Sequence, residues 1–328
     1  KKNKKELLVG RDTEINKITE ILCRYSKQNV LVIGDHGVGK TALIEGFVQK
    51  VLLKQIPDIL GGLEIFELDM GALIAGASYK GEIEDRIKNI AQELKSIPKS
   101  VLIIEEFHSL FGSHGSDSGI VNLLKSELSN GLTLIASSTI EEYTKKIEKE
   151  QGLAGMFELL KLEESTDEIH FRMLKQTLED YQLHHKITID DQTMREAIRL
   201  SQRYMKEKSL PASAIDLIDH TMSVLKTAGE SFLKERNHLV TRIIHLEDNT
   251  NNYLEDERRM HADWLLKDLV GKTKYLISTA DSNEQENELP EFETTDELLA
   301  FARNLIEKTE KIAQEKRTHI TEFDLALI

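Results

Sequence analysis

The amino-acid sequence predicts an α/β protein built on a doubly wound parallel sheet. Short continuous apolar runs alternate with helical patterns along the first half of the chain, and such runs are typical of buried parallel strands. Acidic and hydroxyl side chains follow these runs, at the edge where sheets of this kind bind their ligands. Strands are predicted at residues 30–33, 64–69, 101–104, 132–136 and 159–162.

The first predicted strand leads into a glycine-rich loop and then into a helix. The loop reads G-D-H-G-V-G-K-T and fits the phosphate-loop pattern G-x-x-x-x-G-K-[ST] without a gap. Backbone N–H groups and the helix N-terminus supply partial positive charge for an anion. Lys40 is expected to reach the terminal phosphates of a nucleotide, and Thr41 to offer its hydroxyl to magnesium. The predicted binding residues are Gly34, Asp35, His36, Gly37, Val38, Gly39, Lys40 and Thr41.

Two adjacent carboxylates, Glu105 and Glu106, end the third predicted strand. Hydrolysis of a nucleoside triphosphate needs a metal partner and a carboxylate that orients the attacking water. We expect Glu105 to face Mg²⁺ and Glu106 to face the water. The competing interpretation is a solvated strand end, which the preceding phosphate loop disfavours.

Composition excludes several classes of protein. The formal net charge of −14 argues against nonspecific binding to nucleic acid or to an anionic membrane. No apolar run approaches the length of a membrane span, and no secretory signal precedes the first helix. The single cysteine, Cys23, cannot form an internal disulfide, which fits a reducing, cytoplasmic compartment. The uncapped amphipathic run at residues 323–328 suggests a fragment of a longer chain.

The second half of the chain has a helical pattern. Residues 1–164 are predicted to form the nucleotide-binding α/β domain and residues 165–229 a small helical domain. A helical middle region is expected over 230–318, after which 319–328 returns to the small domain. Helices of the small domain are predicted at 173–181, 193–204 and 212–225.

Leucine-rich stripes at coiled-coil spacing mark the middle region. Two interpretations stay open: the ordinary core of a helical hairpin, or an arm that docks against a neighbour. An acidic polar segment, 281–293, is predicted to be a linker. The stripes comprise Phe232, Leu239, Ile243 and Leu246, then Leu265, Leu269 and Leu276, and finally Leu298, Leu305 and Ile312.

Several longer strings resemble the first AAA+ module of the ClpB, ClpC and ClpV unfoldases. The chain carries V-G-R-D at residues 9–12, A-G-A-S-Y-K-G-E at 75–82 and L-P-A-S-A-I-D-L-I-D at 210–219. The similarity is close from about Leu8 to Asp219 and returns at 320–325. The second and third strings are far more specific than the phosphate loop.

The resemblance implies a hexameric ring that uses ATP and Mg²⁺ to thread polypeptide through a central pore. Tyr79 matches the aromatic residue that grips the polypeptide, Glu106 the catalytic glutamate and Ser138 the polar sensor of the terminal phosphate. The segment 112–119 takes the place of a second pore loop but holds no aromatic residue. By the same resemblance, the adenine pocket comprises Val9, Gly10 and Ile215.

The chain departs from the family pattern at its catalytic positions. Glu105 replaces the usual aspartate, and the octahedral shell of Mg²⁺ tolerates little displacement of a ligand. Gly155 and Met156 stand where the family has two arginines that act on a neighbour's nucleotide, and the nearby Lys149 lacks their rigid fork. Ser213 replaces an expected lysine. The pattern predicts a pocket competent for binding but weakened for hydrolysis.

Two function hypotheses follow. The first is an ATP-driven module of a ring that unfolds proteins. The second is a hydrolysis-deficient scaffold that holds the hexamer together with ATP, while another module does the work. An unrelated GTPase or small-molecule kinase would need an N-K-x-D element or an acceptor site, and neither is found. Among the relatives, a disaggregase, a protease partner and the type VI secretion unfoldase share these motifs, and the short middle region favours the last.

Overall fold

A computed structural model describes residues 8–75, 80–111, 118–248, 253–277, 290–315 and 318–328. The chain divides into two compact units. One comprises the residues up to Met173 together with Met205–Ser213, and the other comprises Leu174–Tyr204 together with the chain from Ala214. The domain boundaries expected at 164, 229 and 318 stay predictions.

The first unit is built around a parallel sheet of five strands, as predicted. The strands are β1 (Asn29–Ile33), β2 (Glu64–Glu67), β3 (Ser100–Ile104), β4 (Leu134–Ser138) and β5 (Phe157–Lys161). Their order in the sheet is β2-β3-β4-β1-β5, with every pairing parallel. Strand β1 therefore lies between β4 and β5, and the ends of β1, β3 and β4 come together at one edge of the sheet.

Helices cover both faces of this sheet, which explains the continuous apolar strands. Successive side chains of a strand point to opposite faces, so a strand that is covered on both sides has no polar face. One buried cluster includes Leu31, Ile33, Leu102, Ile104, Leu134 and Ala136. The opposite cluster includes Val30, Val32, Val101, Ile103 and Ile135.

The helices of the first unit begin with α1 (Asp12–Leu22) and α2 (Lys40–Leu52). They continue with α3 (Met70–Ile74), α4 (Lys80–Lys95), α5 (Ser118–Ser129), α6 (Ile140–Glu142) and α7 (Gln151–Ala154). The same unit contains two short 3₁₀ turns, Asp58–Leu60 and Phe107–Leu110, and one π turn, Tyr143–Ile147.

The remaining helices are α8 (Asp167–His185), α9 (Asp191–Tyr204), α10 (Ala212–Asp248), α11 (Glu255–Thr273), α12 (Thr295–Gln314) and α13 (Glu322–Ala326). The first three are longer than the helices predicted at 173–181, 193–204 and 212–225. Helix α10 is the largest departure, because it runs for 37 residues and passes straight through Gly229, where a change of character was expected. A Cβ at Gly229 would lie 3.5 Å from the carbonyl oxygen of Ala313, an ordinary packing distance.

A parallel ladder of two short strands, β6 (Thr188–Ile189) and β7 (His319–Ile320), was not predicted. It joins parts of the second unit that are far apart in sequence. Two-residue strands carry too little periodicity to be detected from sequence alone.

The leucine-rich stripes of the middle region pack against one another within the chain. Side chains of α10, α11 and α12 form one buried cluster that contains Phe232, Leu239, Leu265, Leu269 and Leu298. The stripes therefore serve as the core of a helical assembly, the first of the two open interpretations. Among the helices of the described ranges, none combines the length and apolar content that a bilayer crossing requires.

Candidate nucleotide site

The glycine-rich loop lies between the end of β1 and the start of α2, as a phosphate loop requires. Gly39 precedes α2 with φ of 99°, a left-handed conformation that side chains rarely adopt, and no atom lies within 4 Å of the position its Cβ would take. At Gly34 a Cβ would lie 2.7 Å from the carbonyl oxygen of Leu162. The two glycines thus serve different needs: an open, left-handed turn and a close packing contact.

The side chain of Lys40 folds back over the loop. Its Nζ donates hydrogen bonds to the carbonyl oxygens of Gly34 at 2.9 Å and of Asp35 at 2.8 Å. Burial lowers the pKa of this lysine, while the charges of Asp35, Glu105 and Glu106 oppose the shift. The ammonium group is therefore held at the centre of the loop, where an anion with several oxygens can replace the two carbonyl groups as its partner.

The structure brings together Thr41 and Glu105, the two predicted metal ligands. The hydroxyl of Thr41 donates a hydrogen bond of 2.7 Å to Oε2 of Glu105. Burial raises the pKa of Glu105, the Thr41 hydrogen bond lowers it, and the neighbouring carboxylates of Glu67 and Glu45 raise it further. The longer side chain of glutamate thus still reaches the hydroxyl at the start of α2.

This donor set fits Mg²⁺. Magnesium prefers oxygen ligands, binds through one or two carboxylates, and completes its shell with water and phosphate oxygens. Thr41 and Glu105 present such oxygens side by side, in a place where neighbouring carboxylates raise the pKa of Glu105. Mg²⁺ would neutralise charge on the phosphates of a bound nucleotide.

The backbone of Glu106 adopts a left-handed conformation, with φ of 48° and ψ of 43°. This region is uncommon for residues other than glycine and is found repeatedly at functional sites. The conformation is held partly by Ser137, whose Oγ accepts a hydrogen bond of 3.3 Å from the Glu106 N–H. The exposed carboxylate is therefore presented at the strand edge by a turn rather than by a continuing strand.

Ser138, the predicted sensor, is the last residue of β4 and is 1% exposed. Its Oγ lies 3.2 Å from Nδ1 of His108, a residue in the 3₁₀ turn after β3. Sequence reasoning did not select His108. The sequence did contain one indication of this contact, since His108 follows Glu106 by two residues. A turn at the end of a strand brings the side chain at that position toward the neighbouring strand.

Arg11 is a second residue that sequence reasoning did not assign. It is 4% exposed, and its Nη2 donates to the carbonyl oxygens of Val38 at 3.2 Å and of Glu163 at 2.9 Å. Its Nη1 also bonds Glu14 at 3.1 Å. Arg11 therefore ties the phosphate loop to the segment after β5 and fixes the position of the loop on the sheet.

The predicted adenine-pocket residues are divided between the two units. Val9 and Gly10 lie in the first unit, beside the start of α8, since a Cβ at Gly10 would lie 2.4 Å from Cγ2 of Ile169. Ile215 belongs to α10 in the second unit, and its role in the pocket stays a prediction.

In the phosphate loop, the carbonyl oxygen of His36 accepts a hydrogen bond of 2.7 Å from the N–H of Ser209.

The positions of the missing arginines carry no positive charge. Gly155 is exposed just after α7, and Met156 packs partly buried against the core of the first unit. Lys149 is exposed, and Ser213 is 1% exposed at the start of α10. Tyr79 lies outside the described residues, as does most of the loop 112–119.

This arrangement is typical of a phosphate-loop nucleotide site. It combines a glycine loop and its lysine with a threonine–carboxylate pair and a glutamate in a left-handed conformation. Family comparison identifies the module. A model described as "ATPase family associated with various cellular activities (AAA)" matches residues 30–151, and one described as "AAA lid domain" matches residues 166–269. The chain therefore belongs to the AAA family and is a module of the ClpB and ClpC type, as the resemblance indicated.

Curated relatives support this assignment. The chaperone protein ClpB of Wolinella succinogenes is 36% identical over 270 residues, which cover 81% of this chain and 32% of the relative. The Clp protease ATP-binding subunit ClpC of Staphylococcus saprophyticus subsp. saprophyticus is 39% identical over 222 residues, covering 67% of this chain and 27% of the relative. The chain thus spans about a third of the length of the relatives that it matches.

Solved structures show the same fold. The S. cerevisiae Hsp104–ADP complex matches with a TM-score of 0.65 and 33% identity, over 70% of this chain and 40% of that one. The extended conformation of the S. cerevisiae Hsp104–casein complex matches with a TM-score of 0.61 and 35% identity, over 68% and 38% of the two chains.

Proposed function

We propose that the chain is the ATP-binding module of a ring-forming, Clp-type protein unfoldase. The observation that carries this proposal is the convergence of Lys40, Thr41, Glu105 and Glu106 at one edge of the sheet, with Thr41 and Glu105 in direct contact at 2.7 Å. Lys40 would bind the terminal phosphates, and Thr41 with Glu105 would hold Mg²⁺. Glu106 would orient water toward the terminal phosphate, and Ser138 would contact that phosphate.

We further propose that hydrolysis is weak in this module. An arginine from a neighbouring subunit can be worth roughly a thousandfold or more in rate, because it stabilises transition-state charge. Gly155 and Met156 cannot supply that charge, and the side chain of Met156 packs against the core. A polypeptide would then be gripped in the pore by Tyr79 while most of the work is done elsewhere in the assembly.

The alternative is a scaffold that binds ATP without turning it over and so stabilises the hexamer. Gly155 and Met156 favour this alternative. The left-handed backbone of Glu106 favours turnover instead, since a scaffold gains nothing from a strained residue at this position.

The partners proposed are protein substrates, unfolded or assembled, and further copies of the same chain in a homohexamer. ATP and Mg²⁺ are the proposed cofactors, and the cytoplasm is the proposed location. The type VI secretion unfoldase remains a proposal among the possible relatives. Nucleic acid and membranes are not proposed as partners, because the formal net charge is −14.

ATPase activity of the purified protein, compared with that of Glu106→Gln, separates the two proposals. The substitution keeps the size of the side chain and removes the carboxylate that orients water. A motor module predicts measurable turnover that falls by at least about a hundredfold in the variant. Equal rates in the two proteins, with ATP binding retained, would establish the scaffold instead.

A further inference from the structure

Two hydrogen bonds join the ends of β3 and β4 beside the predicted catalytic glutamate. Both use adjacent serines of β4: the N–H of Glu106 donates to Ser137, and Ser138 contacts Nδ1 of His108. Neither serine side chain has appreciable solvent exposure. These hydrogen bonds therefore connect the turn that contains Glu106 and His108 to strand β4, which ends in the predicted phosphate sensor Ser138.

In the contact between His108 and Ser138, which residue donates the proton decides whether the Ser138 hydroxyl can donate to a phosphate. A serine hydroxyl has a single proton to donate and two lone pairs that accept. If that proton is given to the imidazole ring, it cannot also be given to a phosphate oxygen. If Nδ1 of the imidazole carries the proton instead, Ser138 accepts from the ring and its own proton remains available.

Burial lowers the pKa of His108, although the charge of Glu142 opposes the shift. Burial thus favours the neutral ring, which has one N–H. A Ser138 hydroxyl that donates its proton to a ligand would accept this hydrogen bond, which would place the ring proton on Nδ1.

We propose that His108 is a positioning residue that donates Nδ1–H to Ser138 and thereby directs the Ser138 hydroxyl toward the terminal phosphate of ATP. This inference rests on the proposed ATP-binding function and deepens it. His108 does not touch the nucleotide. Its effect would be confined to ligands that have a γ-phosphate, because ADP lacks the group that Ser138 would contact.

The test compares ATP and ADP binding by calorimetry with Mg²⁺, with Glu106→Gln as the parent so that ATP survives. His108→Asn and His108→Gln form a matched pair, since an asparagine amide can take the place of Nδ1, whereas a glutamine amide falls nearer Nε2. His108→Gln should raise the Kd for ATP about five- to tenfold, the scale of one ordinary hydrogen bond lost, and leave the Kd for ADP within twofold. His108→Asn should stay close to the parent for both ligands.

A double-mutant cycle completes the test. Because both residues act through one hydrogen bond, Ser138→Ala together with His108→Gln should weaken ATP binding no more than Ser138→Ala alone. Three results would overturn the inference: equal loss of ATP and ADP binding in His108→Gln, equal behaviour of the Asn and Gln variants, or additive losses in the double variant. A parent that binds neither nucleotide would instead overturn the proposed function itself.

Discussion

At the scale of single residues, His170 is a buried histidine without hydrogen-bond partners in the described part of the first unit. It is 1% exposed on α8, and neither ring nitrogen has a hydrogen-bond partner. Burial lowers its pKa, although the charges of Glu164 and Asp167 oppose the shift. The folded protein thus binds this proton less tightly than the unfolded chain does.

His170 should make the first unit less stable in mild acid. The unfolded chain takes up the proton first as the pH falls through about 6.5, so stability present above that pH is lost below it. His170→Leu should remove this loss and, by deleting two unsatisfied polar atoms, stabilise the unit by about 1 kcal/mol at pH 7. Hydrogen exchange of peptides covering 157–173 at pH 5.5 and 7.5 measures both effects.

The exposed His220 supplies the control, because His220→Leu should leave exchange in this region unchanged at either pH. Protection that falls equally with acidity in the wild type and His170→Leu would show that another group is responsible.

At the residue scale, proximity could be predicted where chemistry and chain position coincide, while the roles of the selected residues stay predictions. The phosphate-loop pattern, a strand and two terminal acids sufficed to select Thr41 and Glu105, which lie in contact. The sequence raised the question whether an extra methylene displaces Glu105, and the 2.7 Å hydrogen bond shows that the carboxylate still reaches Thr41. Arg11 and His108 were missed because their partners are distant in sequence and include backbone carbonyls, which a sequence pattern does not reveal.

At the scale of elements, one buried arginine links helices α10, α11 and α12 of the second unit by hydrogen bonds. Arg258 of α11 is 4% exposed, and its Nε donates to the carbonyl oxygen of Leu246 in α10 at 2.8 Å. Its Nη2 bonds Asp296 near the start of α12 at 2.5 Å. The Leu246 carbonyl lies in the last turn of its helix, where helical partners are missing.

Replacing this arginine should therefore loosen the helical region. Arg258→Met keeps the apolar stem but leaves the Leu246 carbonyl without its donor, at a cost of about 1–3 kcal/mol. The expected result is faster hydrogen exchange over 240–270, while strands β1 and β3 keep their protection. Lys267→Met, on an exposed face of α11, should change neither region. Unchanged exchange in Arg258→Met would contradict the role assigned to the arginine.

Element prediction was most accurate for the sheet and least accurate for the long helices. A continuous apolar run indicates a strand that is buried on both faces. The five strands were therefore predicted from the sequence with only small errors at their ends. Helix α10 continues past Gly229, which lies beside Ala313, and this neighbour is too distant in sequence for a local pattern to reveal. The pairing of β6 with β7 likewise joins residues about 130 positions apart.

At the scale of the whole molecule, we predict that ATP turnover is slow because residue 155 is a glycine and supplies no positive charge. The residue is exposed with a right-handed helical backbone, so a larger side chain is compatible with its conformation, although a Cβ would lie 3.1 Å from the Gln151 carbonyl oxygen. Met156 is a poorer site for substitution because it packs against the core.

Gly155→Arg should raise the ATPase rate of the assembled ring by about tenfold or more, because a guanidinium stabilises phosphoryl-transfer charge. Gly155→Gln, of similar length but neutral, should have no such effect. The gain should also depend on protein concentration, since in the proposed ring the arginine would act on a neighbouring subunit. Equal rates for the two variants in rings of equal size would contradict the prediction.

The central claim is that Lys40 and its glycine loop hold the phosphates of a nucleotide against the ends of β1, β3 and β4. Calorimetric titration of the purified protein with ATP and Mg²⁺ tests this claim most directly, with Lys40→Ala as the comparison. The account predicts saturable binding that weakens by at least about tenfold in the variant, because the ammonium group makes charge-assisted hydrogen bonds to phosphate. Absence of heat in the wild type, or identical isotherms for the two proteins, would contradict it.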